Sequence, residues 1–128
     1  MSYFSGSDTA VNTPATWAVP GSLENLEMAP GVTFQPTVGR NLLINLVHLD
    51  AGAHAAKHNH PEEQASWVLE GRMEIEVSGE KRRLGPGELV IIPPNAPHEV
   101  WSPDGATTLI DLFAPPRQAL LDILAKKG

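Results

Sequence analysis

Residues 58–64 read His58-Asn59-His60-Pro61-Glu62-Glu63-Gln64, and Pro93-Pro94-Asn95-Ala96-Pro97-His98 follows some thirty residues later. Side chains alternate faces along a β-strand, so His58 and His60, one residue apart, are expected on the same side. Gln64 restarts that parity after a short turn, and His98 supplies a distant fourth group. Three imidazoles and one carboxamide suit a borderline first-row divalent metal and leave room for water or substrate. The chain has 5 histidines, so this constellation uses most of them.

The segments around this run are short and punctuated. With 12 prolines and 11 glycines in 128 residues, turns recur at close intervals, which argues for many short strands in a single domain. Asn41 to Leu49 is nearly continuous in apolar residues and predicts a strand buried on both faces. Gly31 to Phe34 predicts a short strand between Pro30 and Pro36. Arg72 to Val77 alternates cleanly, with Met73, Ile75 and Val77 inward, and Ser78-Gly79 is a hairpin turn. Ala65–Leu69, Lys81–Leu84, Leu89–Ile92, His98–Ser102 and Thr107–Phe113 complete the strands. Pro115-Pro116 suits a first helical turn, and Leu120, Leu121 and Leu124 repeat at helical spacing, so one helix closes the chain. The expected fold is all-β, a small barrel or double-sheet jelly roll with a short C-terminal helix. Residues 1–21 read as an N-terminal arm that packs on the domain or on a neighbouring subunit, and 22–128 as the domain.

A net charge of −6 gives no electrostatic case for nucleic acid or an anionic membrane. Lys81-Arg82-Arg83, the one basic run, reads as a solvated hairpin shoulder. There is no cysteine, so disulfide and thiolate chemistry are absent. Met1 to Gly6 lack a basic stretch followed by an apolar one, so neither a signal peptide nor a membrane span is expected, and a cytoplasmic protein is.

Asp111 shares parity with Leu109 and Phe113 and interrupts an apolar strand. A carboxylate facing the interior is costly unless a cation or hydrogen bonds compensate it. It reads as a general acid/base with a pKa tuned by its pocket; a structural ion pair or a solvent-facing strand is the alternative. Arg117 carries a planar fork that matches a substrate carboxylate, although a surface arginine at a helix start is also unremarkable. Gln64 is either a ligand or a structural hydrogen bonder, and its parity with the histidines favours ligation. As a neutral ligand it would leave the ion its full charge. Glu62 and Glu63 are expected to face water, and Trp67 and Trp101 to pack on outer faces or a subunit interface.

The two motifs resemble those of the cupin superfamily. Gly52, five residues, His58-x-His60, three residues, Gln64, six residues and Gly71 follow the first, with Gln64 in the position usually held by Glu. Gly87, five residues, Pro93-x-Asn95, two residues and His98 follow the second, with Asn95 in place of Gly and Ser102 in place of Asn. The resemblance spans Leu42 to Phe113 and implies a cupin jelly-roll barrel with a divalent transition metal (Ni, Zn, Fe, Mn, Co or Cu) on His58, His60, Gln64 and His98. A narrower resemblance is to the pectin-degradation, KdgF-type cupins, which also carry Gln in the Glu position and end in Asp-x-Phe with an Arg four residues on, here Asp111, Phe113 and Arg117. It implies conversion of unsaturated uronates from pectin or alginate to linear keto sugars, with Asp111 moving a proton, Arg117 orienting a small anionic substrate and Phe113 walling the sugar site. Another metal-dependent cupin enzyme (a dioxygenase, or a biosynthetic cyclase or isomerase) and a non-enzymatic binding module remain the alternatives. Sheet edges left open by a small jelly roll suggest a homodimer.

Overall fold

The computed structural model describes residues 2–6, 12–22 and 24–127. Of the arm expected over 1–21, Met1 and residues 7–11 lie outside the described set; 12–20 are exposed and have no helix or strand. The described residues form ten strands and one helix. They are β1 (Leu26–Ala29), β2 (Val32–Val38), β3 (Leu43–Leu49), β4 (His54–His58), β5 (Glu63–Glu70), β6 (Met73–Val77), β7 (Glu80–Leu84), β8 (Leu89–Ile92), β9 (His98–Trp101), β10 (Thr107–Ala114) and α1 (Gln118–Lys127). No described helix is long and apolar enough to cross a membrane.

The strands form two antiparallel sheets, one in the order β1-β2-β3-β10-β5-β8 and the other β4-β9-β6-β7. The chain is thus a double-sheet jelly roll, and the barrel expectation is corrected in one respect. Among the described residues the hydrogen-bonded ladder does not close on itself. Val47, Val68 and Leu109 from the larger sheet and Met73 and Ile75 from the smaller one make the core between them. A second cluster, Leu26, Leu43, Phe113 and Leu120, seats α1 on the larger sheet.

Local sequence explains most of these elements. Ser78 and Gly79 both have positive φ, 49° and 87°. That is the two-residue turn whose twist matches flanking strands, and it joins β6 to β7 with Val77 opposite Glu80. Gly71 is fixed by space as well as by its φ of 78°, because a Cβ there would lie 2.2 Å from the Ala106 carbonyl oxygen.

Three expectations fail for tertiary reasons. β3 is buried on one face only: Leu43, Asn45, Val47 and Leu49 point inward while Ile44 is exposed. In a two-layer fold the outer face of the large sheet meets no second sheet. β2 does not stop at Pro36 but runs through it to Val38. β1 pairs β2 only as far as Phe34, so at Pro36 the second edge of β2 needs no N–H. The helix starts at Gln118, beyond both prolines, with the Arg117 carbonyl accepting from Leu120 and Leu121.

Candidate functional site

The strands bring His58, His60 and His98 together, with one ring nitrogen from each lying within 4.8 Å of the others. His58 ends β4 and sits directly opposite His98 at the start of β9. His60, however, lies beyond the end of β4, so a shared strand face is not what unites the pair. The loop after β4 turns His60 inward, and a second loop holds it there: the Asn95 N–H donates to the His60 carbonyl at 2.7 Å, and Asn59 Nδ2 donates to the Asn95 carbonyl at 3.3 Å. Asn95 has φ 65°, a left-handed conformation that asparagine tolerates better than most residues. Its substitution for the glycine of the motif is therefore structurally compatible.

The three rings share one tautomer. His58 Nδ1 lies 2.7 Å from the Ala56 carbonyl oxygen, His60 Nδ1 3.0 Å from that of Glu62, and His98 Nδ1 2.9 Å from that of Ala96. A carbonyl oxygen only accepts, so each Nδ1 carries the proton and each Nε2 presents a lone pair. His98 Nε2 is buried with no hydrogen-bond partner. Burial lowers the His98 pKa to about 4, opposed by the Ala96 carbonyl and reinforced by His58, His60 and Arg117 nearby. Burial and Arg117 likewise lower that of His60. Both rings are therefore neutral at neutral pH, the state a metal ligand needs.

Gln64 enters from β5, buried and inward as its parity predicts. Its Nε2 donates to Ser66 Oγ at 2.9 Å, which turns Oε1 to within 3.0 Å of His60 Nε2. With the proton of His60 on Nδ1, two acceptors face each other, an arrangement a cation between them would relieve. Three imidazole nitrogens and one amide oxygen form a donor set that can hold a divalent metal.

Ser66 continues the network to Asp111, donating to Oδ1 at 2.5 Å. Asp111 is 9 % exposed, on the inward face of β10, and burial raises its pKa to about 6 against the hydrogen bonds from Ser66 and Gln64. A cavity of about 210 Å³ opens between the sheets, and its lining includes His58, Gln64, His98, Asp111, Phe113 and Arg117. Phe113 packs its ring edge-on to His60, 5.6 Å between centroids, and also belongs to the core that seats α1. The rest of the wall is largely apolar, including Val32, Phe34, Val47, Leu49 and Leu109.

Glu62 does not face water. It is 4 % exposed, and its Oε2 accepts the Gln118 N–H at 2.8 Å, satisfying a donor at the first turn of α1. Its Oε1 lies 3.4 Å from His60 Nδ1 and 3.7 Å from Arg117 Nη1. One carboxylate thus ties the histidine loop, Arg117 and the helix start. Burial raises its pKa, but the Gln118 N–H and the charge of Arg117 outweigh this and leave it below the ordinary value. Its contribution to stability is therefore present at neutral pH and is lost as pH falls through its lowered pKa. Glu62→Ala is expected to cost about 1.5–3 kcal/mol in urea denaturation at pH 7, the range for a hydrogen bond to a charged group. Glu62→Gln, which keeps an acceptor for Gln118, should recover part of that loss. Sequence alone carried no signal for this role, since Gln118 is 56 positions away. His54 and His48 stay outside the site: His54 pairs with Glu99 and stacks on Trp101, and His48 bonds Gln35 on the outer face of β3.

Residues 45–113 match the cupin domain family. The chain is 34% identical over 82 residues to the pectin degradation protein KdgF of Dickeya dadantii (strain 3937), covering 63% of this chain and 74% of that one. It is 36% identical over 64 residues to the dimethylsulfoniopropionate lyase DddQ of Ruegeria pomeroyi, across 49% of this chain and 32% of that protein. Among solved structures, KdgF from Halomonas sp. superposes with a TM-score of 0.77 at 28% identity, covering 84% of this chain and 99% of that one.

Proposed function

The chain belongs to the cupin family, and from that premise we propose that it is a metal-dependent enzyme converting unsaturated uronate monosaccharides to linear keto sugars. The observation that carries this reading is Asp111, a buried carboxyl with a raised pKa that lines one cavity with two of the three clustered imidazoles and Arg117. The likeness to KdgF proteins supports the choice of substrate class. His58, His60, Gln64 and His98 would hold one divalent ion. When bound, such an ion supplies Lewis acidity and stabilises negative charge developing on substrate oxygens.

In an unsaturated uronate the double bond beside the ring oxygen is a masked enol. The anomeric hydroxyl loses its proton as the bond between the anomeric carbon and the ring oxygen breaks, and the ring oxygen gains a proton. An aldehyde and an enol result. The enol then gives up its O–H proton while the far carbon of the double bond gains one, forming a 2-keto acid that is an isomer of the substrate. Asp111 would carry these protons, since a carboxyl with a pKa of about 6 both releases and recovers one near neutral pH. Arg117 would grip the substrate carboxylate with its fork, and Phe113 would wall the ring and exclude water.

The test follows loss of the ultraviolet absorbance of an unsaturated uronate with metal-loaded protein. Acceleration over the spontaneous reaction is expected, and its absence would refute the proposal. Arg117→Ala should raise KM by roughly 10-fold or more with a smaller change in kcat, as for lost substrate binding. The apolar wall of the cavity favours a second reading, elimination from a small carboxylic acid without hydroxyls, in which a carbon beside the carboxylate gives up a proton while a leaving group departs from the next carbon and a double bond forms between them; a lyase is named among the relatives. Saturable binding of such an acid, with no binding of a saturated uronate, would select it.

A further inference from the structure

The inner face of β3 carries one polar side chain among apolar ones. Leu43, Val47 and Leu49 share that face with Asn45, which is 0% exposed. Neither the nitrogen nor the oxygen of the Asn45 amide has a hydrogen-bond partner among the described residues. Leaving both unmade is costly, and a leucine of nearly the same shape would fill the position without that cost. On β2 the residue opposite Asn45 is Pro36, whose side chain offers neither donor nor acceptor. On β10 the residue opposite is Asp111, which is flanked on its other side by Ser66 of β5. Leu109 and Phe113, the inward residues on either side of Asp111 along β10, are apolar. Asp111 is thus the one polar side chain among the inward neighbours of Asn45 in the sheet.

We propose that Asn45 is a positioning residue for Asp111, its amide supplying a hydrogen bond to the carboxyl from the β3 side, across from the one that Ser66 supplies from β5. This rests on the reading of Asp111 as the proton carrier. Directly opposite residues of an antiparallel pair carry Cβ atoms about 4.5–5.5 Å apart, a gap that an asparagine amide spans to reach a carboxyl oxygen. The last side-chain torsion of asparagine is soft, so a turn about it brings either amide atom to that side. Ser66 is committed as a donor, since its Oγ accepts from Gln64 Nε2 and donates to Asp111 Oδ1. An amide presents both a donor and an acceptor, so it holds the carboxyl whether the proton is there or on the substrate. A carboxyl gripped from one strand swings about its own Cβ–Cγ bond; gripped from both, it keeps its reacting oxygen aimed into the cavity. Misplacing such a group by about 1 Å costs on the order of 10²-fold in rate. Asn45 does not itself line the cavity, so it acts through Asp111 and not on the substrate.

Two measurements test this. A crystal structure of the metal-loaded protein should place an Asn45 amide atom within about 3.2 Å of an Asp111 carboxyl oxygen. An amide bonded elsewhere would overturn the proposal whatever the substrate. In turnover of an unsaturated uronate, Asn45→Leu should lower kcat by roughly 10-fold or more while KM changes by less than about 2-fold, the split expected when a reacting group is held less well. Metal content and circular dichroism of the variant should match wild type. A folded Asn45→Leu protein with wild-type kcat, or one in which KM rises and kcat does not fall, would also overturn the proposal. Where wild type fails to accelerate the uronate reaction, or Asn45→Leu fails to fold, the crystal contact alone decides the role of Asn45; the first failure refutes the uronate reading and the second does not.

Discussion

His98→Ala protein is expected to purify without the divalent ion proposed for the site. Elemental analysis should fall from about one divalent ion per chain to background, and His58→Ala combined with His60→Ala should do the same. The three Nδ1 contacts to backbone carbonyls fix every ring with its Nε2 lone pair outward. Removing a residue that merely orients a ligand costs about 10–100-fold in metal affinity, so removing a ligand itself costs more. His98 is the most informative single change because its Nε2 is buried and otherwise unpartnered. Equal metal content in folded wild-type and variant proteins would refute the assignment. Acidification should release the ion only below the ordinary imidazole value of about 6.5, because burial already holds His98 and His60 neutral.

Asp111→Asn is expected to abolish turnover and to stabilise the metal-free protein at alkaline pH. A lost general acid/base costs about 10²–10⁴-fold in rate, and metal content should be unchanged. The stability effect follows from linkage. Asp111 has its pKa raised from 3.8 to about 6 in the folded chain, so between these values the folded state binds the proton more tightly than the unfolded state. Stability therefore falls as pH rises through that window and stays lower above it. At about 1.4 kcal/mol per pH unit the penalty reaches at most about 3 kcal/mol. Asparagine has no charge to bury, so the difference in stability between variant and wild type should be near zero at about pH 3, below the unfolded value of 3.8, and open to its full value by about pH 7. A difference that is flat with pH would show that Asp111 folds without the cost of a buried charge.

Most of the candidate site was legible because its residues break local pattern. Asp111 stands out in an apolar strand, and the histidine spacing is repeated by no other segment. Gln64 and Asp111 fall inward as alternation requires, since each lies within a regular strand. Strand alternation does not account for His60: its ring reaches the cluster through a loop held by Asn95, and loops have no period to read. Glu62 was missed because one acidic residue near a turn looks the same whether it meets solvent or a helix start from the far end of the chain. Arg117 was found as a charge but not as the residue whose carbonyl opens the helix.

Strand periods, turns and the chemical types gathered at the site follow from local sequence, because backbone sterics and side-chain alternation act over a few residues. Tertiary structure alone decided which faces are covered. Ile44 and Val47 belong to the same apolar run, yet Val47 meets the opposite sheet and Ile44 meets water. His58 and His98 become neighbours only because β4 pairs with β9. Alternation states which side of its own strand a residue occupies, and only contacts with strands distant in sequence decide whether that side is core, pocket or interface.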